Sequence, residues 1–281
     1  MTQEFSIRYS RSADELKTFT TAQCREHYLV KGLFRPNHVE IVYSMQDRFI
    51  IGGAQPQGEA LPMPVFEPLT KADFFLERRE MGIINVGGSG KVYADGQEYP
   101  LGFKDALYIG RGVREVIFHS DDAAQPAKYY FNSTTAHAAH PAVLIPQSAV
   151  TPVELGDTAT ANRRNIYQYI VAHRMESCQL VMGLTELQSP SVWNTFPPHT
   201  HYRRNEVYFY FDLPPDQLVL HLMGEPTETR HLMLRNEEAV ISPEWSIHSG
   251  AGTCAYAFIW GMGGENREYS DMDKVEPSQL R

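Results

Sequence analysis

Short apolar runs separated by turn-forming residues make up most of the chain. Val, Ile, Tyr and Phe dominate these runs, and Gly, Pro, Asn and Asp interrupt them. This pattern is typical of many short strands joined by turns, so the sequence predicts an all-β protein. Helical spacing of apolar residues is confined to 13–29, where we expect one or two short helices. The predicted strands include 39–44, 48–53, 81–88, 106–110, 115–118, 128–132, 206–211, 217–223, 231–234, 239–242 and 255–261.

The chain repeats one order of parts at long range. In 78–112 and again in 203–245, a basic pair and a glutamate precede an apolar strand, which is followed by two further strands and a tight turn. This order predicts two similar β units. The stretch 141–165, rich in Pro, Thr and Ala, is the expected connection. We therefore expect one unit over 1–150 and a second over 151–281.

Charge and cysteine content narrow the function classes. The 281 residues carry a formal net charge of −9, spread along the chain, and no basic cluster could follow a phosphate backbone. Nucleic acid is therefore not an expected partner. Cys24, Cys178 and Cys254 are widely separated, which favours a reducing compartment over a disulfide framework. No signal-like segment and no run of about eighteen apolar residues occurs, so we expect a cytoplasmic protein without a membrane partner.

A group of metal-ligand residues lies just before a predicted buried strand. His199 and His201 are separated by one residue, so an extended chain projects both from one face. A turn over 202–205 then brings Glu206 to the start of the next strand, beside them. His248, which follows a proline turn, is the candidate for a fourth ligand. Imidazoles with one carboxylate suit zinc, iron, manganese, nickel or copper, and the ligand chemistry leaves that choice open.

The two segments that carry these residues resemble the two cupin motifs. The first cupin motif has two histidines in HxH followed by a glutamate, as in 199-HTHYRRNE-206. The second has a proline turn followed by a histidine, as in 243-PEWSIH-248. The chain is therefore similar to the cupin superfamily in its ligands and in the turn before the last one.

A closer resemblance covers nearly the whole chain. Runs such as 183-GLTEL-187, 193-WNTFPPHTHYRRNEVYFYF-211 and 258-FIWGMGGEN-266 resemble the family of 4-deoxy-L-threo-5-hexosulose-uronate ketol-isomerases of pectin breakdown. The resemblance implies two cupin-type double-stranded β-helix barrels, a bicupin, with a short helical N-terminal segment. It also implies that the protein forms a homo-oligomer, specifically a hexamer, and that its substrate is a keto-deoxyuronate. One Zn²⁺ per subunit would be held by His199, His201, Glu206 and His248.

The reaction of that family is an aldose–ketose interconversion that needs no redox cofactor. A proton leaves a carbon bearing a hydroxyl group, and the neighbouring aldehyde becomes an alcohol. A metal that polarises the carbonyl stabilises the charge that develops. Tyr208, two residues past Glu206 on the same strand face, is the candidate for proton transfer. Arg163, Arg164 and Arg230 are candidates for a bidentate clamp on the substrate carboxylate.

Several other residues lie near the two motifs or match them in part. Trp193, Trp245 and Trp260 lie near the motifs in sequence and either wall the sugar or form core. Glu80 aligns with Glu206, but no HxH precedes it, so the N-terminal unit is expected to be metal-free and structural. The remaining histidines considered lack a chelating partner at short spacing and are expected to be structural or exposed: His27, His38, His119, His137, His140 and His221.

Three alternatives remain open from the sequence. An iron(II) cupin dioxygenase would use the same ligands and would consume oxygen. A related sugar-acid isomerase, such as a deoxyglucuronate isomerase of inositol breakdown, would share the fold and the metal. A non-enzymatic sugar-binding or regulatory cupin would use the metal only to brace the fold.

Overall fold

The computed structural model describes residues 5–281, and strands dominate this part of the chain, which confirms the all-β prediction. The α-helices are short: α1 Ala13–Leu16, α2 Thr21–Tyr28 and α3 Glu67–Thr70. Three 3₁₀ turns lie at Gln147–Ala149, Thr158–Thr160 and Pro277–Gln279. The predicted helical segment at 13–29 thus contains two helices. The third helix lies outside 13–29, so the prediction that helical structure is confined to that segment is wrong.

Local capping explains these helix boundaries. Ser12 with Glu15, and Thr20 with Gln23, form capping boxes, in which each pair satisfies two main-chain N–H groups at a helix start. The second box begins a new helix, which is why 13–29 is not one continuous helix. The third helix was missed because it spans one turn; Pro68 lies in its first turn, where the missing N–H is not needed.

Strands occur throughout the described part of the chain. Those of the N-terminal half are β1 Phe5–Arg8, β2 Leu29–Val30, β3 Val39–Ser44, β4 Ile50–Ala54, β5 Leu61–Pro62, β6 Arg79–Asn85, β7 Gly90–Ala94, β8 Gln97–Leu101, β9 Ala106–Ile109, β10 Val116–Ser120, β11 Tyr129–Thr135 and β12 Val143–Ile145. Those of the C-terminal half are β13 Val153–Leu155, β14 Arg164–Ile170, β15 Val181–Leu187, β16 Trp193–Asn194, β17 His199–Thr200, β18 Arg204–Phe211, β19 Val219–Glu225, β20 Glu228–Leu234, β21 Glu238–Ser242, β22 Ser249–Gly252, β23 Ala257–Gly264 and β24 Asp273–Lys274.

The strand order repeats, as the sequence predicted. One seven-stranded sheet has the order β1-β3-β4-β11-β6-β9-β12, and the other has β13-β14-β15-β23-β18-β21-β2. The four-stranded sheets have the orders β5-β10-β7-β8 and β16-β22-β19-β20. In both halves the strand after the basic pair, β6 or β18, lies at the same place in its sheet. We call the sheets with β6 and β7 the first sheet pair, and those with β18 and β19 the second.

Two compact units can be distinguished, and each collects segments from more than one part of the chain. Among the described residues, the first comprises Gly32–Val150 and Tyr169–Val181, with residues 5–7. The second comprises Arg8–Lys31, Thr151–Gln168 and Met182–Arg281. The division of the chain into cupin domains over 1–150 and 151–281 stays a prediction.

The core of the first unit lies between its two sheets. Met81 and Ile83 of β6 belong to it together with Phe131 of β11 and Phe118 of β10. The rings of Phe118 and Phe131 stack with their centroids 6.3 Å apart, which joins the two sheets. Because alternate strand residues face opposite sides, Glu80 lies on the other face of β6.

Glu80 aligns with Glu206 in sequence, but the two side chains have different surroundings. The Glu80 carboxylate is buried and accepts hydrogen bonds from the main-chain N–H groups of Cys178, Gln179 and Leu180, at 2.7–2.8 Å. Tyr108 Oη donates a fourth bond, at 2.6 Å. When two strand sequences are aligned with a shift of one residue, the aligned side chains lie on opposite faces of their sheets. Glu80 holds a chain segment of its own unit in place.

Strand β18 is central in the second sheet pair and carries the residues singled out in the sequence. It pairs with β23 along its whole length, from Arg204 opposite Gly264 to Phe211 opposite Ala257. On its other side β21 places Ser242 opposite Glu206.

None of the helices in the described part of the chain is long and apolar enough to cross a membrane.

Candidate metal centre

The four predicted ligands come from three parts of the second unit and meet at one point. His199 lies on β17, which is short and is held by pairing with β24, where Lys274 is its partner. Glu206 is the third residue of β18, and His248 directly precedes β22. One ligand atom from each of His199, His201, Glu206 and His248 lies within 4.8 Å of the others. The fold therefore collects residues that are far apart in sequence.

The ligand atoms form a closed ring of short contacts. His201 Nε2 lies 3.1 Å from His199 Nε2 and 3.0 Å from Glu206 Oε2. His248 Nε2 lies 3.0 Å from His199 Nε2 and 2.9 Å from the same Glu206 oxygen. Two atoms bound at about 2.1 Å to one metal ion lie about 3.0–3.4 Å apart, so these spacings suit a common ion.

A hydrogen bond made by Nδ1 of His201 determines the protonation of Nε2, the ring nitrogen that faces the other ligands. His201 Nδ1 lies 2.6 Å from the main-chain oxygen of Asp271, which can only accept. Nδ1 therefore carries the hydrogen in the neutral ring, and Nε2 presents a lone pair towards Glu206. Two acceptors 3.0 Å apart repel each other unless a cation lies between them. The donor set therefore fits a bound cation.

The electrostatics keep His199 and Glu206 in the protonation states that bind metals. Burial, and then the charges of His248 and His201, lower the pKa of His199 to about 2, so its ring is neutral. Burial alone would raise the pKa of Glu206. The electrostatic effects of His248 and then of His201, whose Nε2 atoms lie 2.9 and 3.0 Å from its carboxylate, outweigh burial and hold that pKa well below its usual range. A neutral His199 ring and an ionised Glu206 carboxylate are the states in which these groups bind a divalent cation.

A network of arginines holds the segment that supports His201. The guanidinium of Arg203 binds both carboxylate oxygens of Asp271, with Nε at 2.9 and 3.1 Å. Arg204 is fully buried and donates to the main-chain oxygens of Glu268, at 2.8 Å, and Asp271, at 3.1 Å. Outer partners of this kind orient metal-binding histidines and tune their basicity. The local sequence pattern gave no reason to select Arg203, Arg204 or Asp271.

A cavity of about 490 Å³ opens beside the cluster, within the second unit. Its wall is mostly apolar and aromatic, and a few polar groups face inwards, as is usual for small-molecule sites. Its lining includes His199, His201, Glu206, Thr185, Thr195, Tyr208, Tyr269, Arg164, Lys274, Glu276, Phe196, Phe258, Trp260, Met262 and Met272. The cavity is large enough for a six-carbon sugar acid.

Tyr208 lies in this cavity, as expected from its place on β18. Its ring is 5.2 Å from that of His248, centroid to centroid, and its Oη is 3.1 Å from Thr195 Oγ1. Burial, and next the charge of Glu206, raise the pKa of Tyr208 well above 10, its ordinary value. The hydroxyl is therefore protonated and can donate. Thr195, its partner, was not identified from the sequence.

The structure separates the three candidate arginines. Arg164 lines the cavity, and its Nη1 donates to the main-chain oxygen of Asn162 at 2.8 Å. Arg163 is exposed and lies 4.0 Å from Glu154. Arg230 pairs with Glu228 at 3.0 Å and donates to the main-chain oxygen of Lys17 at 2.6 Å. Neither Arg163 nor Arg230 is among the described residues that line the cavity.

The tryptophans are divided in the same way. Trp260 lines the cavity and donates from Nε1 to Thr185 Oγ1 at 3.1 Å. Trp193 packs against Phe196, with ring centroids 5.2 Å apart, and Trp245 is buried. Lys274 and Tyr269 also line the cavity, although the sequence gave no reason to select them. They come from a C-terminal segment whose path to the site depends on long-range pairing.

Comparisons with known proteins agree with this picture. The model of the KduI/IolB family matches residues 35–277. A 4-deoxy-L-threo-5-hexosulose-uronate ketol-isomerase of Halalkalibacterium halodurans is 50% identical over 274 residues, which cover 98% of this chain and 99% of the relative. The protein of that name from Lachnoclostridium phytofermentans is 51% identical over 275 residues, with 98% and 99% covered.

Solved structures show the fold alone. An IolB-like protein from Salmonella typhimurium superposes with a TM-score of 0.66 at 15% identity, covering 81% of this chain and 86% of its own. Bacillus subtilis oxalate decarboxylase gives a TM-score of 0.55 at 10% identity, covering 80% and 71%. Fold and cluster together define an all-β, cupin-like protein with a three-histidine, one-glutamate candidate metal centre. The chain belongs to the KduI/IolB family.

Proposed function

We propose that the chain is a metal-dependent ketol-isomerase that interconverts 5-dehydro-4-deoxy-D-glucuronate and 3-deoxy-D-glycero-2,5-hexodiulosonate in uronate and pectin degradation. Relatives about 50% identical over almost their whole length bear the name of that activity. The observation that carries the proposal is the convergence of four metal-ligand residues, three of which line a cavity that also contains a protonated tyrosine.

The proposed ligands are His199, His201, Glu206 and His248, and the proposed ion is one Zn²⁺ per subunit. The neutral ring of His199, the ionised carboxylate of Glu206 and the spacings of 2.9–3.1 Å support this assignment. When bound, the ion would supply Lewis-acid polarisation of the substrate carbonyl. Zinc is chosen on family resemblance, because the ligand types alone also suit iron and manganese.

The chain's own residues supply the remaining parts of the reaction. Tyr208 Oη, kept protonated by burial, would donate a hydrogen bond or a proton to a substrate oxygen as charge develops there. Thr195 Oγ1, 3.1 Å away, would hold that hydroxyl in one orientation. The aromatic wall formed with Phe258 and Trp260 would exclude water from the reacting carbons.

Arg164 is the proposed partner of the substrate carboxylate, with Lys274 as a second cation. Both line the cavity. Burial lowers the pKa of Arg164 from its ordinary value, which reflects a cation partly removed from water. A carboxylate bound there would offset that cost through charge-assisted hydrogen bonds. Arg163 and Arg230 already have acidic neighbours outside the cavity, so we do not assign them this role.

We further propose a bicupin, in which each sheet pair is one barrel, a cytoplasmic location and a hexameric assembly. The repeated strand order supports the bicupin, and resemblance to the family supports the other two assignments. The predicted absence of a metal in the N-terminal barrel belongs to the same proposal.

A second sugar-acid isomerase activity deserves the same test. The matching family model also includes IolB, and an IolB-like protein shares the fold with a TM-score of 0.66. We therefore include 5-deoxyglucuronate as a competing substrate. The identity of about 50% to named hexosulose-uronate isomerases favours the first substrate.

The decisive experiment follows the aldehyde signal of each substrate by NMR in deuterated buffer, with and without a chelator. We expect conversion of 5-dehydro-4-deoxy-D-glucuronate to the ketone, and we expect it to stop when metal is removed. Deuterium in the product would indicate a proton transfer that exchanges with solvent. Conversion of 5-deoxyglucuronate alone would replace our substrate, and oxygen uptake without isomerisation would contradict the proposed reaction class.

A further inference from the structure

A buried arginine in the first unit has only neutral partners. The Arg79 side chain of β6 is 6% exposed. Its Nε donates to Ser133 Oγ at 3.1 Å, and its Nη2 donates to the main-chain oxygens of Arg48, at 2.7 Å, and Ser133, at 2.8 Å. Its guanidinium carbon lies 5.9 Å from the centre of the Tyr43 ring. Among the described residues, no carboxylate forms an ion pair with it.

This arrangement is electrostatically incomplete. A buried charge is usually paired, because neutral acceptors replace only part of the hydration that the charge loses. Burial lowers the pKa of Arg79 to about 10, and contact with Tyr43 opposes this shift only in part. An anion bound next to the guanidinium group would therefore stabilise the charge of Arg79.

Arg79 lines a cavity of about 260 Å³. Its lining contains three arginines and no aspartate or glutamate: Tyr43, Arg48, Leu69, Thr70, Ala72, Phe75, Arg78, Arg79 and Thr135. The Arg48 and Arg78 side chains are exposed. Arg78 Nη2 donates to the main-chain oxygen of Thr70 at 2.8 Å and to that of Lys71, which fixes its position at the cavity.

We propose that this cavity of the first unit binds a small molecule bearing a carboxylate or a phosphate. Planar guanidinium groups bind both kinds of oxyanion through paired hydrogen bonds. The volume is below the range of about 300–1,000 Å³ that is typical of sites for larger ligands, so the ligand is small. Tyr43 and Phe75 would pack against its carbon part, and Thr70 and Thr135 are the neutral polar residues of the wall. The site is separate from the cluster around Glu206 and does not depend on the proposed isomerase activity.

Calorimetric titration of the full chain with inorganic phosphate and with D-galacturonate tests the proposal. We expect saturable binding of at least one of them, and the better ligand distinguishes a phosphate from a carboxylate source. The double variant Arg48→Gln/Arg78→Gln removes two exposed cations and leaves the core intact. We expect it to weaken this binding at least about tenfold. Arg235→Gln, at an exposed arginine of the second unit, is the matched control and should bind as the unmodified chain does.

A second variant examines the buried residue itself. Arg79→Lys keeps the charge but loses the planar fork, and circular dichroism would establish that it folds. We expect a loss of binding comparable to that of the double variant. Absence of binding by both probes would overturn the proposal. So would binding that the Arg48→Gln/Arg78→Gln variant retains in full, because the anion would then lie elsewhere.

Discussion

His201 Nδ1 lies 2.6 Å from the main-chain oxygen of Asp271, seventy positions further along the chain. This contact fixes the hydrogen on Nδ1 and directs the lone pair of Nε2 at the other ligand atoms. Asp271 is in turn bound through both carboxylate oxygens by Arg203. The orientation of one proposed ligand thus depends on a salt bridge that has no atom in the cluster.

Replacing the carboxylate of Asp271 should therefore weaken metal binding without removing a ligand. In Asp271→Asn the ion pair with Arg203 is lost, and the segment carrying the main-chain oxygen becomes less constrained. We expect the metal dissociation constant to rise about 10–100-fold, and activity to return at high metal concentration. Asp216→Asn, at an exposed aspartate, provides the matched control for competition titrations with a chromogenic chelator. Unchanged affinity in Asp271→Asn would show that the segment is held without the ion pair.

Tyr208→Phe tests proton donation inside the cavity. The substitution removes one hydroxyl whose pKa is raised well above 10 and leaves the ring in place. We expect kcat to fall about 10²–10⁴-fold, the range for loss of a general acid or base, with metal content unchanged. Tyr210→Phe is the control, since Tyr210 lies on the same strand face but binds His221, at 2.8 Å, and does not line the cavity. Equal effects of both variants on kcat would indicate core packing alone.

Arg164→Gln tests the proposed carboxylate partner. Loss of charge-assisted hydrogen bonds worth about 1.5–3 kcal/mol should raise KM about 10–100-fold, because the contact is made in substrate and transition state alike. We expect a smaller change in kcat. Arg235→Gln controls for the change in net charge. An Arg164→Gln enzyme with unaltered steady-state constants would move the carboxylate to Lys274 or to another part of the cavity.

The buried histidine behind the cluster predicts an acid sensitivity. Burial, and then the charge of His248, lower the pKa of His221 to about 3, from an ordinary value of 6.5. Between these two pH values the unfolded chain binds a proton that the folded chain does not. The free energy of unfolding should therefore fall as pH drops from about 6.5 towards 3, by at most about 1.4 kcal/mol per pH unit from this group.

Urea unfolding of the chelator-treated protein at several pH values measures this slope. The His221→Gln variant should be less stable at neutral pH and should have a shallower dependence on pH. If both proteins lost stability in parallel, the proton uptake would belong to other groups.

The sequence predicted the parts of the site that local spacing encodes. His199, His201 and Tyr208 follow from the two-residue period of extended chain, and the strand that holds Glu206 and Tyr208 follows from its apolar run. Thr195, Tyr269, Lys274 and Asp271 could not be predicted. They reach the site through long-range strand pairing and through the salt bridge between Arg203 and Asp271, for which the local pattern has no signal.

The surroundings of other residues could not be predicted for the same reason. Glu80 aligns with Glu206 in sequence, but it lies on the face of β6 opposite Met81 and Ile83, where it binds main-chain N–H groups. Arg163 and Arg164 are equal candidates as neighbours in sequence, but Arg163 lies just before β14 and is exposed, whereas Arg164 begins that strand and lines the cavity. The repeat of the two β units was easier to predict, because the order of strands and turns can be recognised directly in the sequence.

The most direct test of the account is a metal titration of the chelator-treated chain and of His199→Ala, with metal content and isomerase activity read on the same samples. We predict that the unmodified chain binds one ion per subunit and regains activity in proportion. His199→Ala should fold but bind metal at least about tenfold more weakly and lose activity, whereas the exposed-site control His231→Ala should behave as the unmodified chain does. Full activity of the metal-free chain, or of His199→Ala without bound metal, would contradict the central claim.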